Sequence, residues 1–191
     1  LADCRAVYAE SAFPGGAAPL KDIGDGLYAL ELWHGPTAAF KDMALQIMPR
    51  LFSRALVKTG ETRDIVILAA TSGDTGKAAL EGYRDVDRIR IAVFYPENGV
   101  SPVQKLQMQT QTGKNVNVTA IRGNFDDAQN GVKEIFADRE FAEELNKRGL
   151  ILSSANSINW GRLAPQIVYY VSAYCDLLNR DVLHFGERMN I

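Results

Sequence analysis

Cysteine is scarce in this chain, with Cys4 and Cys175 the only two among 191 residues. They are far apart and lack the close spacing of metal ligands, so neither a disulfide framework nor a cysteine metal centre organises the fold. A reduced, cytoplasmic setting is expected. A surplus of basic charge is missing as well: 21 Lys and Arg stand against 23 Asp and Glu, for a net charge of -2. Nucleic acids and membrane surfaces both require concentrated positive charge, and neither is expected as a partner. No stretch approaches the roughly 20 apolar residues of a membrane span, no basic and apolar leader precedes the first residues, and there is no repeat or low-complexity tract. What remains is ordinary globular composition, 47% hydrophobic and 23% charged, with length enough for one domain or one and a half.

Hydrophobic periodicity outlines alternating strands and helices. Leu27 to Trp33 reads as a strand, and Met43 to Val57 carries Leu45, Met48, Phe52, Ala55 and Leu56 at helical spacing. Pro49 is expected to kink or shorten that helix. Asp64 to Ala70 is a continuous apolar run of the kind buried on both faces of a parallel sheet. A glycine-rich turn follows, then a helix from Thr75 to Tyr83. Ile89 to Phe94 is a strand, Ser101-Pro102 opens a helix with a cap and a first-turn proline, and Asn115 to Ile121 is a strand. Asn124 to Phe136 and Glu140 to Arg148 read as helices, and Leu150 to Leu152 as a short strand. A long helix bears Leu163, Ile167, Tyr170, Val171, Tyr174, Leu177 and Leu178 on one face, with Pro165 expected in its first turn. Cys175 falls in this apolar pattern and is expected in the core. The closing Met189-Asn190-Ile191 reads as the start of another strand.

This alternation specifies an α/β fold: an open, mostly parallel twisted sheet with helices on both faces and right-handed crossovers. Ligands of such sheets bind at the carboxyl ends of strands, near a switch in strand order. Three strand-to-helix turns qualify, and all three are expected to open on the same edge of one sheet. His34 to Ala44 places Lys41 at a junction where desolvation lowers the pKa of an amine, and a neutral lysine forms a Schiff base with a carbonyl compound. Ala70-Thr-Ser-Gly-Asp-Thr-Gly76 runs straight into a helix, so its amides, with the Thr71, Ser72 and Thr75 hydroxyls, make an anion site. It matches neither dinucleotide nor P-loop spacing. Its plainer reading is a tight turn capped by Asp74 or Thr75. Ser153 to Arg162 offers the amides of Asn156 and Asn159 and the two-pronged guanidinium of Arg162. Its plainer reading is helix capping beside a solvated arginine.

Glu31 to Asp42, Ala70 to Gly76, Tyr95 to Gln107 and Asn156 to Arg162 together, in order and over nearly the whole chain, resemble the signatures of threonine synthase of the longer bacterial and fungal type. The resemblance implies the fold type II lobe of the pyridoxal-phosphate enzymes, in incomplete form. It implies that the parent converts O-phospho-L-homoserine and water to L-threonine and phosphate. By it, Lys41 is the catalytic lysine that holds pyridoxal 5'-phosphate as a Schiff base, and Asp74 is a cofactor contact. Thr71, Ser72, Thr75, Asn156 and Arg162 bind the substrate's anionic groups, with Asn156 and Arg162 on the departing phosphate; no metal is involved. His34 and Trp160 are expected to be structural, the first fixing its turn by hydrogen bonds and the second packing its turn against a helix.

The resemblance has two departures. Many relatives of this fold carry asparagine where Asp74 stands, and an ionised carboxylate cannot donate to the cofactor's phenolic oxygen, so helix capping or a main-chain contact is expected of it. The glycine-rich phosphate loop and a carboxyl-terminal lobe fall outside the 191 residues, as does an amino-terminal extension. The expected organisation is residues 1–60 as a lead-in with the cofactor lysine, 61–160 as a small parallel α/β domain, and 161–191 as a helix returning to a larger lobe. The chain is expected to be a piece of a longer protein, inactive by itself. Alternatives are a related serine or threonine dehydratase or β-replacement enzyme, a non-catalytic threonine-synthase-like protein that binds phosphorylated metabolites, or a flavodoxin-type nucleotide module. The last leaves Lys41 unexplained.

Overall fold

Four parallel strands carry the centre of the molecule, and the chain visits them out of spatial order. The computed structural model describes residues 1–191. After helix α1 (Ala2–Val7), β1 (Leu20–Gly24) and β2 (Leu27–Leu30) form an antiparallel ribbon. The ribbon turns at Asp25 and Gly26, with φ of 52° and 74°, the left-handed pair that a two-residue hairpin needs. Helices α2 (Asp42–Leu45) and α3 (Met48–Thr59) lead to β3 (Asp64–Ala70), α4 (Asp74–Tyr83), β4 (Ile89–Pro96) and α5 (Pro102–Gln109). The chain continues with β5 (Val116–Ile121), α6 (Phe125–Ala137), α7 (Arg139–Lys147), β6 (Leu150–Ser154) and the long α8 (Trp160–Asn179). No helix is long and apolar enough to cross a membrane.

The sheet order is β5-β4-β3-β6, all parallel. The chain steps outward from β3 to β5 and then returns to lay β6 on the other side of β3. The direction therefore reverses between β3 and β6, where the carboxyl ends of strands leave room for a ligand. Side chains alternate across β3. Ile65, Ile67 and Ala69 join Ile91 and Val93 of β4 and Ala79, Leu80 and Tyr83 of α4 in the main core. Leu68 and Ala70 meet Ala128 and Val132 of α6 on the opposite face. Both faces are covered, which is why β3 reads as one unbroken apolar run.

Full burial of a side chain such as Ile67 or Leu80 contributes roughly 1.5–3 kcal/mol. That outweighs the ~1 kcal/mol that each of Gly76 and Gly82 costs α4 in helix propensity, so packing holds this helix. Gly82 is there for close approach: a Cβ would lie 2.1 Å from the Leu45 carbonyl oxygen and push away α2, the helix that follows Lys41.

Several expectations are corrected. β2 ends at Leu30 and pairs only with β1, because the Asp25-Gly26 turn folds it back; the Lys41 turn thus does not spring from the parallel sheet. The Met43–Val57 helix is two helices, with Pro49 at the second position of α3, where its missing N–H costs nothing. Pro165 lies in the second turn of α8, since Asn159 caps the helix from one residue before Trp160. Cys175 is exposed. The buried stripe of α8 is Tyr169, Ala173 and Leu177, and Cys175 points about 200° away from Ala173 around the helix. Leu163, Ile167, Tyr170 and Val171 are likewise exposed. Met189 to Ile191 forms no strand; Met189 packs on the cluster of Leu20, Ala173 and Leu177 instead.

Candidate active site

The loop that presents Lys41 is wrapped around its neighbour, Asp42, which is fully buried. Asp42 Oδ2 accepts the Thr37 N–H at 2.8 Å and the Ala39 N–H at 3.4 Å. Asp42 Oδ1 accepts the Thr37 hydroxyl at 2.8 Å and Gln46 Nε2 at 3.2 Å. Burial raises the Asp42 pKa above the ordinary carboxylate value, against the pull of the Thr37, Ala39 and Gln46 donors. Ala38 between them holds a left-handed φ of 54°, a conformation costing roughly 1–2 kcal/mol that these bonds offset. His34 anchors the start of the loop, with Nδ1 at 2.8 Å from the Pro14 carbonyl and Nε2 at 2.7 Å from Glu31 Oε2. That is the structural role expected of it. Trp160 is 66% exposed, so it does not pack its turn.

Lys41 itself is half-buried, with Nζ 4.3 Å from the centre of the Phe40 ring and 3.4 Å from Asp74 Oδ2. Burial lowers its pKa and outweighs the opposing attraction of Asp74, while the positive charges of Arg162 and Lys77 lower it further. An amine so placed gives up its proton more readily than a solvated lysine.

The second turn is fixed by a hydroxyl. Thr71 is buried, and its Oγ1 accepts the Gly73 N–H at 2.9 Å and the Gly76 N–H at 2.8 Å, capping α4 from outside. Gly73 has φ 142°, a conformation closed to side-chain-bearing residues. The structure thus encloses Thr71 within the turn, leaves Ser72 exposed, and sets Thr75 on the wall of the cleft. Asp74 does not cap the helix with its side chain, contrary to expectation. Its carboxylate instead meets Lys41, Lys77 Nζ at 3.2 Å and Gln104 Nε2 at 2.7 Å.

In the third turn, Asn156 Nδ2 donates to the Ala70 carbonyl at 2.9 Å, tying the end of β6 to the end of β3. Its second amide hydrogen remains for a ligand. Asn159 caps α8 and donates to the Ser154 carbonyl at 3.0 Å, so it serves the fold. Arg162 is 4% exposed, and its Nε and Nη1 have no hydrogen-bond partner. A buried cation with unfilled donors is costly by itself, and an anion has the chemistry to satisfy it.

Lys41, Thr75, Asn156 and Arg162 line one cleft of about 390 Å³. Gln129 and Lys133 of α6 close the far side. Larger grooves lie between α1 and α3 and at the amino ends of the strands, away from this convergence. Sequence reading missed Asp42, Lys77, Gln104, Gln129 and Lys133. Asp42 and Gln104 fall within the signature segments without a role of their own, and Lys77 stands at i+3 from an acidic residue on one helix face.

No protein-family model matches the chain. It is 49% identical over 160 residues to threonine synthase of Pseudomonas aeruginosa, a match covering 84% of this chain and 33% of that protein. It is 43% identical over 180 residues to threonine synthase-like 1 of Homo sapiens, covering 91% of this chain and 24% of that protein. The crystal structure of threonine synthase from Brucella melitensis with pyridoxal phosphate bound superposes with a TM-score of 0.79 at 43% identity, covering 92% of this chain and 37% of that one. The chain thus spans about a quarter to a third of the length of the curated relatives it matches. With that identity in sequence and that agreement in fold, both over most of its length, the chain belongs to the threonine synthase family as a homologue of one segment of those longer proteins.

Proposed function

We propose that the full-length protein is a pyridoxal-phosphate-dependent lyase that converts O-phospho-L-homoserine and water to L-threonine and phosphate. The observation that carries this is the convergence of a desolvated amine and an unpartnered, buried guanidinium on one cleft. The residues fit the cofactor: Lys41 suits its aldehyde, and Asp74 lies within reach of whatever Lys41 holds. Bound pyridoxal phosphate supplies an electron sink for carbanions formed on the substrate. Lys41 would hold the cofactor and, released by substrate, move protons at the α and β carbons. Arg162, with the spare amide hydrogen of Asn156, would grip the substrate phosphate and stabilise the charge that gathers on it as it departs from the γ carbon. Thr75 and Ser72, at the amino end of α4, would meet the substrate's other anionic group.

The fragment of residues 1–191 is expected to be inactive and to bind pyridoxal phosphate weakly. The test is phosphate release from O-phospho-L-homoserine by the full-length protein and by its Lys41→Ala variant, with serine and threonine assayed alongside. Loss of phosphate release in the variant supports the proposal. Retained release, or turnover of serine or threonine instead, rejects it. A second reading, a non-catalytic member that binds phosphorylated metabolites, is favoured by the 43% identity to a protein named only as threonine synthase-like. Binding of O-phospho-L-homoserine without turnover would select it.

A further inference from the structure

Lys77 is a buried amine for which the chemistry above has no use. Its side chain is 9% exposed, and it sits one turn along α4 from Asp74, with Nζ 3.2 Å from Asp74 Oδ1. The other carboxylate oxygen faces Lys41 Nζ at 3.4 Å. One carboxylate therefore carries two ammonium groups and the Gln104 amide, and Gln104 is itself held by the Ser101 hydroxyl at 3.1 Å. The other charged groups facing Lys41 are Arg162 from α8 and, across the cleft, Lys133 from α6. Asp42, next in the chain, is turned toward Thr37 and Gln46.

We propose that Lys77 is a positioning residue for Lys41: it keeps Asp74 paired when Lys41 gives up its proton, and so frees Lys41 to react as an amine. The inference rests on Lys41 being the group that meets the cofactor aldehyde. A carboxylate with a single ammonium partner holds the proton on that partner, because losing it leaves the negative charge without its counter-charge. With a second cation in place the carboxylate stays neutralised, and the two ammonium groups repel one another. Of the two amines on Asp74, Lys41 is the one that lines the cleft, and its side chain is 19% exposed against 9% for Lys77. In the reaction the Lys41 nitrogen bonds the aldehyde carbon, the carbonyl oxygen leaves as water, and the proton Lys41 loses passes to solvent. Against burial, which alone would raise the Asp74 carboxyl, the hydrogen bond from Lys77 is the strongest influence holding it below the ordinary range.

The test uses the full-length protein freed of cofactor, labelled with pyridoxal 5'-phosphate and trapped with cyanoborohydride, with the labelled lysine located by peptide mass mapping across neutral to alkaline pH. Lys77→Met, matched in length without charge, is expected to raise the pH midpoint of Lys41 labelling by about one unit, slowing it roughly ten-fold at neutral pH. Lys77→Arg should restore the original midpoint. Adding Asp74→Asn to Lys77→Met should bring the midpoint back down, because the counter-charge is gone. An unchanged midpoint in a folded Lys77→Met protein overturns the proposal. If that variant fails to fold, Lys77→Gln is judged by the same criterion, and a midpoint in Lys77→Arg that follows the uncharged variant rather than the parent overturns it equally. Absence of Lys41 labelling in the parent at every pH is a different result, and it would overturn the functional reading instead.

Discussion

Between Thr37 and Lys41 the backbone wraps a buried carboxylate, whereas between Thr71 and Gly76 it wraps a buried hydroxyl. Hydrogen bonds to a charged acceptor contribute about 1.5–3 kcal/mol each, against about 0.5–1.5 kcal/mol for neutral ones. The Lys41 loop needs the stronger grip because Ala38 is strained and the loop springs from a two-stranded ribbon rather than from the main sheet. The Thr71 turn sits at the end of β3, already held by sheet pairing on both sides, so a neutral acceptor is enough. A neutral acceptor also adds no further negative charge to a helix end that already carries Asp74. The enclosed group is thus charged in one turn and neutral in the other, whose own carboxylate, Asp74, points out to Lys41 and Lys77.

The largest test of that contrast is Asp42→Ala. It leaves the buried Thr37 N–H and hydroxyl unpaired, and the urea midpoint should fall by the equivalent of about 3 kcal/mol or more. Thr71→Val keeps the side-chain shape but strips the Gly73 and Gly76 N–H groups of their acceptor, at about 1–3 kcal/mol. If the two variants unfold at the same urea concentration, the distinction between the turns is lost. A smaller effect separates them by pH. The Asp42 pKa is raised in the folded state by burial, so the folded protein holds that proton more tightly than the unfolded chain does. The Asp42 contribution is therefore fully present below the ordinary carboxylate pKa and declines as pH rises through the raised value. Asp42→Asn should remove that acid-range slope in denaturation midpoints, while Thr71→Val leaves it unchanged. Least of all, Ser72→Ala on the exposed side of the turn should stay within about 0.5 kcal/mol of the parent.

Much of this was legible in the chain. The unbroken apolar run at β3 announced a strand covered on both faces, and the order of the three turns located the cleft. What escaped was decided by partners that no local pattern encodes. Asp42 looks like any acidic residue at a helix start until Thr37 and Gln46 close around it. Thr71 looked like a ligand donor because its position at a helix end suits that role, yet the same position suits a cap. The pattern of β2 fits any strand, in the parallel sheet or outside it; the Asp25-Gly26 turn is what sends it to β1. The buried face of α8 is ambiguous in the sequence because Leu163, Ile167 and Val171 carry the helical period as convincingly as Tyr169, Ala173 and Leu177 do.

The placement of β6 at the sheet edge beside β3 sets a timetable. The neighbours β3 and β4 are complete once residue 96 has been made, and the loop bearing Lys41 precedes both. The hydrogen bond from Asn156 to Ala70 spans 86 residues, and Arg162 comes later still. During synthesis from the amino terminus, Lys41 therefore emerges about 120 residues before Arg162, and over that stretch of growth the nascent chain carries the amine without the other side of its cleft.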